Sequence, residues 1–199
     1  MPLTMKRIST FVIFLIAVLS SRGQFEGVLT YQYGNGTSIN YMKDKWSFIQ
    51  FIQEEKDTLL FWYDAPSKIL YTQLEKNVDK VYKTPTAMTS LNLNFKALDL
   101  PFEERNGFNC LQGILREDNW QVGQSEFHVW YIPGTPEPAA LAGLFKSVPG
   151  IPVYVTLDGS EVCELIEMRK QPISKKIYDL SNFSIIEISD EFIYIETTE

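Results

Sequence analysis

The chain has 199 residues, with 25 Asp or Glu against 18 Lys or Arg and a formal charge of −7. An acidic chain without a basic stripe argues against nucleic acid or an anionic membrane surface as partner. An aromatic content of 14% argues against disorder.

The N-terminus, MPLTMKRISTFVIFLIAVLSSRGQ, sets Lys6 and Arg7 before an uncharged apolar run from Ile8 to Leu19, followed by Ser21-Arg22-Gly23. That is the order of a secretory signal peptide, and the run is well short of the roughly 20 residues that span a bilayer. The expected cut follows Gly23, so residues 1–23 are a signal peptide and 24–199 a single domain of an exported protein, not integral to the membrane. No Cys stands at the cut to accept a lipid.

Strand signals then follow one another. FEGVLTYQYG sets Leu29, Tyr31 and Tyr33 on one face against Thr30 and Gln32 on the other, the period of two that marks a half-buried strand. TSINYMK, KWSFIQFIQ, DTLLFWYD, KILYTQL and DKVYK repeat the pattern between turn-forming segments. Such short spacing leaves no room for parallel crossovers and predicts an antiparallel meander. Thr84 to Glu104 holds one strand or short helix. GFNCLQGILRED, SEFHVWYI, IPVYVTLD, EVCELIEMRKQ, FSIIEIS and EFIYIET read as further strands. One helix is predicted, over 138–147, with Pro138 at its first turn and Leu141, Leu144 and Phe145 on one face. The fold class is therefore mainly β with minor α.

Catalytic signals are sparse. His128 is the only histidine, so there is no multi-His metal site, and it reads as a structural or surface side chain; an enzyme built on it would need a carboxylate brought close by folding. Glu54-Glu55 and Glu103-Glu104 fall in turn-like segments and read as solvated charge. YGNGTS and PGTPEP lack the strand–loop–helix context and lysine of a phosphate loop. Asn35 and Asn182 begin glycosylation acceptors only in hosts that modify them. Cys110 and Cys163, 53 positions apart, can form a disulfide worth roughly 4 kcal/mol by chain entropy. Each equally suits a small core residue, and spacing does not choose. No cofactor or metal is expected. What remains is a surplus of aromatics on both faces of segments such as LLFWYD and HVWYI. Either both faces of the sheet are covered, or one lines a pocket.

Several segments resemble the GLPGLI family of exported bacterial proteins. FEGVLTYQY stands for its N-terminal strand, Gly107, Phe108 and Cys110 for its Gly-Tyr-x-Cys, and Trp130-Tyr131 for its Trp-Tyr-Thr. Gly143-Leu144 with Pro149-Gly150-Ile151 stands for its Gly-Leu-Pro-Gly stretch. Residues 145–148 interrupt that last motif and Ile132-Pro133 replaces the Thr, so the chain looks like a divergent member. The resemblance implies an unclosed antiparallel β-barrel like that of the lipoprotein carriers LolA and LolB, with one or two short helices plugging its mouth. It also implies the periplasm or envelope of a Gram-negative bacterium, and a concave apolar face able to hold acyl chains.

The leading expectation is a non-enzymatic envelope protein that binds a hydrophobic small molecule or lipid, with Trp130, Tyr131, Leu144, Phe145 and Ile151 as ligand contacts. The alternative is a structural or protein-partner-binding envelope protein whose barrel interior is only core.

Overall fold

The computed structural model describes residues 25–34, 36–44, 46–53, 58–73, 78–85, 93–117, 125–134, 145 and 147–188. The expected signal peptide, nearly all of the predicted 138–147 helix including Leu144, and the predicted EFIYIET strand lie outside the described residues.

Among the described residues thirteen strands form one sheet. In chain order they are β1 (Gly27–Tyr33), β2 (Gly36–Lys43), β3 (Trp46–Gln53), β4 (Leu59–Asp64), β5 (Ile69–Gln73), β6 (Lys80–Pro85), β7 (Leu93–Ala97), β8 (Glu103–Arg105), β9 (Phe108–Glu117), β10 (Phe127–Pro133), β11 (Gly150–Leu157), β12 (Ser160–Lys170) and β13 (Ser184–Glu187). In space the order is β13-β6-β5-β4-β3-β2-β1-β12-β11-β10-β9-β7, with β8 hairpinned onto β9. The chain builds outward from β1 to β6, restarts at the far edge with β7, and returns through β12 to pair with β1.

The meander is antiparallel with one correction: β13 runs parallel to β6. Thr84 to Glu104 also departs from expectation, holding two strands and no helix among its described residues. Asn106 (φ 51) and Gly107 (φ 76) make the β8–β9 turn, and Asn-Gly suits a two-residue turn that needs positive φ at both positions. Glu103 and Glu104, read above as turn residues, are therefore strand residues. Among the described residues the helix is a single 3-10 turn, Lys175–Tyr178, which the sequence reading did not foresee.

The sheet coils without closing. Its main core unites Met42 of β2 with Leu93 of β7, positions six strand spacings apart, or about 29 Å on a flat sheet. Register shifts at Thr30/Tyr31, Trp130/Tyr131 and Val155/Thr156 supply the bend, since bulges kink a strand and increase its twist. The face enclosed by this coil is called inner below and its reverse outer. β11, buried almost throughout, is the central strand of the coiled end.

Residues 171–188 form a strap from β12 across the outer face to β13. Glu26 accepts from Lys43 Nζ (2.6 Å) and from the Ile173 amide (2.7 Å), and Lys43 also donates to the Ile173 carbonyl (2.8 Å). Farther along, Tyr178 donates to the Tyr41 carbonyl (3.1 Å) and Trp62 Nε1 to the Ile177 carbonyl (2.7 Å). The Phe183 ring lies 5.6 Å from that of Trp62. The strap thereby covers the Tyr41–Phe48–Trp62 row.

Candidate functional site

Strand alternation and register place a row of small polar side chains on the inner face. Ser38 and Asn40 of β2 and Ser47 of β3 are buried there, with Asn40 Nδ2 donating to Ser38 Oγ (3.0 Å) and to the Leu29 carbonyl (3.4 Å). On one side stand Tyr31 and Tyr33 of β1; on the other, Ile49, Phe51, Phe61 and Tyr63 of β3 and β4, with Leu70 of β5 beyond. The Tyr33 and Phe51 rings bridge the walls edge-on at 5.5 Å. Tyr31 donates its hydroxyl to the Pro152 carbonyl (3.0 Å). Burial, reinforced by the neighbouring Cys163 thiol, pushes both phenols above their ordinary range, so they stay neutral. The arrangement is a polar floor between aromatic and aliphatic walls.

Of the five residues expected to contact a ligand, three come together in one core cluster and Trp130 packs against it. Tyr131, Phe145 and Ile151 are buried in the main core, where Tyr131 meets Phe95 edge-on (5.3 Å) and Phe145 meets Phe127 (6.2 Å). Trp130, next in sequence to Tyr131, points to the outer face because adjacent strand residues alternate. Leu144 lies outside the described residues. Cys110 and Cys163 are free and buried. Their strands β9 and β12 are separated by β10 and β11, about 14 Å along the sheet, against the ~7 Å limit for bridging Cα atoms. The disulfide is therefore not formed. Burial pushes the Cys110 thiol up to about 11 and the Cys163 thiol up to about 12.

On the outer face the β8 hairpin folds over Trp130. Arg105 lies 4.8 Å from the Trp130 ring centre and 5.1 Å from that of Tyr154. Its Nη2 pairs with Glu103 (2.7 Å), and Glu103 also accepts from Trp130 Nε1 (2.8 Å) and Gln112 Nε2 (3.0 Å). Arg105 Nε is the buried side-chain atom left without a partner among the described residues. Asn106 at the turn donates to the Leu165 carbonyl of β12 (3.0 Å), so the hairpin clasps the outer face. The Asn-Gly pair was the sequence signal that could have located this hairpin. Nearby, His128 Nε2 lies 2.9 Å from Glu126, which also pairs with Arg116 (2.6 Å). Partial burial opposes ionisation of Glu126, but Arg116 and His128 outweigh it and hold its carboxyl below the usual range. A carboxylate held ionised and already shared by a guanidinium orients His128 but is a weak proton acceptor. Among the described residues no cluster of His, Cys, Asp or Glu could hold a metal ion.

Among the described residues, two clefts open on the outer face, the first of them against the strap. One, of about 310 Å³, is lined by Lys43, Asp44, Trp46, Lys175 and Tyr178. The other, of about 240 Å³, is lined by Gln50, Thr58, Leu60, Gln73 and Val78.

No protein-family model matches this chain, and no curated protein matches it. Among solved structures the chain is similar to PNGF-II in the C2 space group, with TM-score 0.55 and 13% identity over 84% of this chain and 31% of that one. It is likewise similar to PNGF-II in the P21 space group, with TM-score 0.53 and 13% identity over 83% of this chain and 32% of that one. The chain thus spans about a third of the PNGF-II chain, and at this identity the likeness shows the fold alone.

Proposed function

We propose that this is an exported, non-enzymatic envelope protein, a divergent GLPGLI-like member with a LolA-like half-barrel, whose inner face holds an amphipathic lipid or acyl chain. The observation that carries the reading is the Ser38–Asn40–Ser47 floor between apolar walls inside a sheet that coils but does not close. An acyl chain laid against Ile49, Phe51 and Phe61 gains about 0.8 kcal/mol per buried methylene. The hydroxyls and amide of the floor are closed off in this structure, so they would meet a polar head, otherwise desolvated without partners, only once the walls part around the ligand. The filled core around Tyr131, Phe145 and Ile151 favours plain packing at the coiled end, so the ligand belongs at β2–β4. Residues 1–23 direct the chain out of the cytoplasm.

Delipidated protein should take up a fluorescent fatty acid at micromolar concentration, and Phe61→Ala should weaken uptake by roughly tenfold, equivalent to ~1.4 kcal/mol. Asn40→Leu should change which head group is preferred. Absence of uptake by folded wild-type protein would leave the partner-binding alternative standing instead. Intact-mass measurement of the chain from an envelope fraction should start at Gln24; an unprocessed Met1 would refute export by signal cleavage.

A further inference from the structure

The larger outer-face cleft is a second candidate site, and its chemistry differs from that of the inner face. Trp46 lines it, its ring tilted 45° to that of Tyr178 at 6.2 Å between ring centres. Asp44, Lys43 and Lys175 line it as well. Lys43 already spends two of its three N–H donors on Glu26 and the Ile173 carbonyl, leaving one for the cleft. Tyr178 donates its proton to the Tyr41 carbonyl and keeps acceptor capacity. Burial first, then Glu26 and Asp44, raise its pKa, so it remains a neutral phenol.

The charges sort the ligand classes. The Lys43 charge is matched by Glu26 at 2.6 Å and Lys175 shares the cleft with Asp44, so the charges of the described residues at the site balance, in a chain of formal charge −7. An anion would meet the Asp44 carboxylate and a repelling overall field. An acyl chain would strand the polar rim. A neutral ring with apolar C–H faces and a periphery of hydroxyls matches both features: the faces stack on Trp46, and each hydroxyl both donates and accepts, to carboxylate and ammonium alike. We propose that this cleft binds a neutral saccharide residue, stacked on Trp46 and held at its edge by Asp44 and Lys175. Lys43, Asp44 and Trp46 flank the β2–β3 turn, where Asp44 takes φ 55, and the strap's 3-10 turn supplies the opposite wall. The site exists because the strap crosses at this place, and it does not depend on the inner-face reading.

The test is NMR on the full mature chain with the methyl glycosides of glucose, galactose, mannose and N-acetylglucosamine, using acetate and phosphate as anionic controls. At least one glycoside should shift the Trp46 indole N–H signal with a Kd of about 1 mM. Asp44→Ala should weaken that binding by roughly tenfold, while leaving fatty-acid uptake at the inner face unchanged. Trp46→Phe, which keeps a stacking ring, should retain saturation transfer to the glycoside that Trp46→Ala loses. The proposal is overturned if no glycoside moves the indole signal up to ~100 mM, or if acetate or phosphate moves it and glycosides do not. It is equally overturned if Asp44→Ala, correctly folded, binds as well as the parent.

Discussion

Gly150 begins β11 where an added Cβ would come within 2.0 Å of the Ile132 carbonyl oxygen, and Gly113 lies under the Phe95 ring, where a Cβ would come within 2.2 Å of a ring carbon. The first contact is backbone on backbone and cannot be relieved by a rotamer change. Gly150→Ala should therefore cost about 1–3 kcal/mol and lower Tm by roughly 2–12 °C in a domain of this size; an unchanged Tm would mean that β10 and β11 separate without penalty. The two thiols make a second test. Both pKa values lie above the ordinary 9.0, about 11 for Cys110 and about 12 for Cys163. At pH 8 neither should be alkylated by iodoacetamide in the folded protein, and both should react in guanidinium. The sign of the pH effect follows from the same shifts: unfolding lets the thiols ionise near pH 9, so stability holds below that and falls as pH rises toward 12. Rapid labelling of native protein at pH 8 would contradict this burial. Sequence left the bridge and the core role equally open because it places neither strand in the sheet.

The strap is the element on which the outer face depends, and Trp62 is its anchor through the Ile177 carbonyl and the Phe183 ring. Trp62→Ala should cost about 3–5 kcal/mol and release 171–188. The readout is amide exchange in β13, whose parallel pairing with β6 is reached only through the strap. Exchange at Ile185 and Ile186 that stays as slow as in the parent would show β13 held without it. The strands themselves were largely legible, since β1 to β6 and β9 to β12 carry period-two alternation bounded by turn residues. β8, only three residues long, is too short for periodicity to register. The 3-10 turn has no apolar stripe and forms because Ser174 Oγ caps the Lys176 amide (3.3 Å) and Tyr178 finds the Tyr41 carbonyl. The second of these partners lies 137 positions away in sequence.

For the molecule as a whole, the coiling creates the inner face, and coiling was not legible. It comes from register shifts, two of them within the β10–β11–β12 run and one between strands distant in the chain, Thr30 of β1 against β12. Strand alternation sets Trp130 and Tyr131, neighbours in sequence, on opposite faces, while Tyr131, Phe145 and Ile151 share the main core; Ser38, Asn40 and Ser47 gather on one face by pairing. Their polarity in an otherwise apolar alternation was the signal available. β7 and β13 are the edges of the sheet, and among the described residues no helix is long and apolar enough to cross a membrane. The central claim is that the inner face carries an amphipathic ligand. Native mass spectrometry of the protein taken gently from an envelope fraction tests it most directly. The expected result is a bound mass in the lipid range that disappears on organic extraction and returns when the extract is added back. A bare chain in the native spectrum, still bare after exposure to that extract, would contradict it.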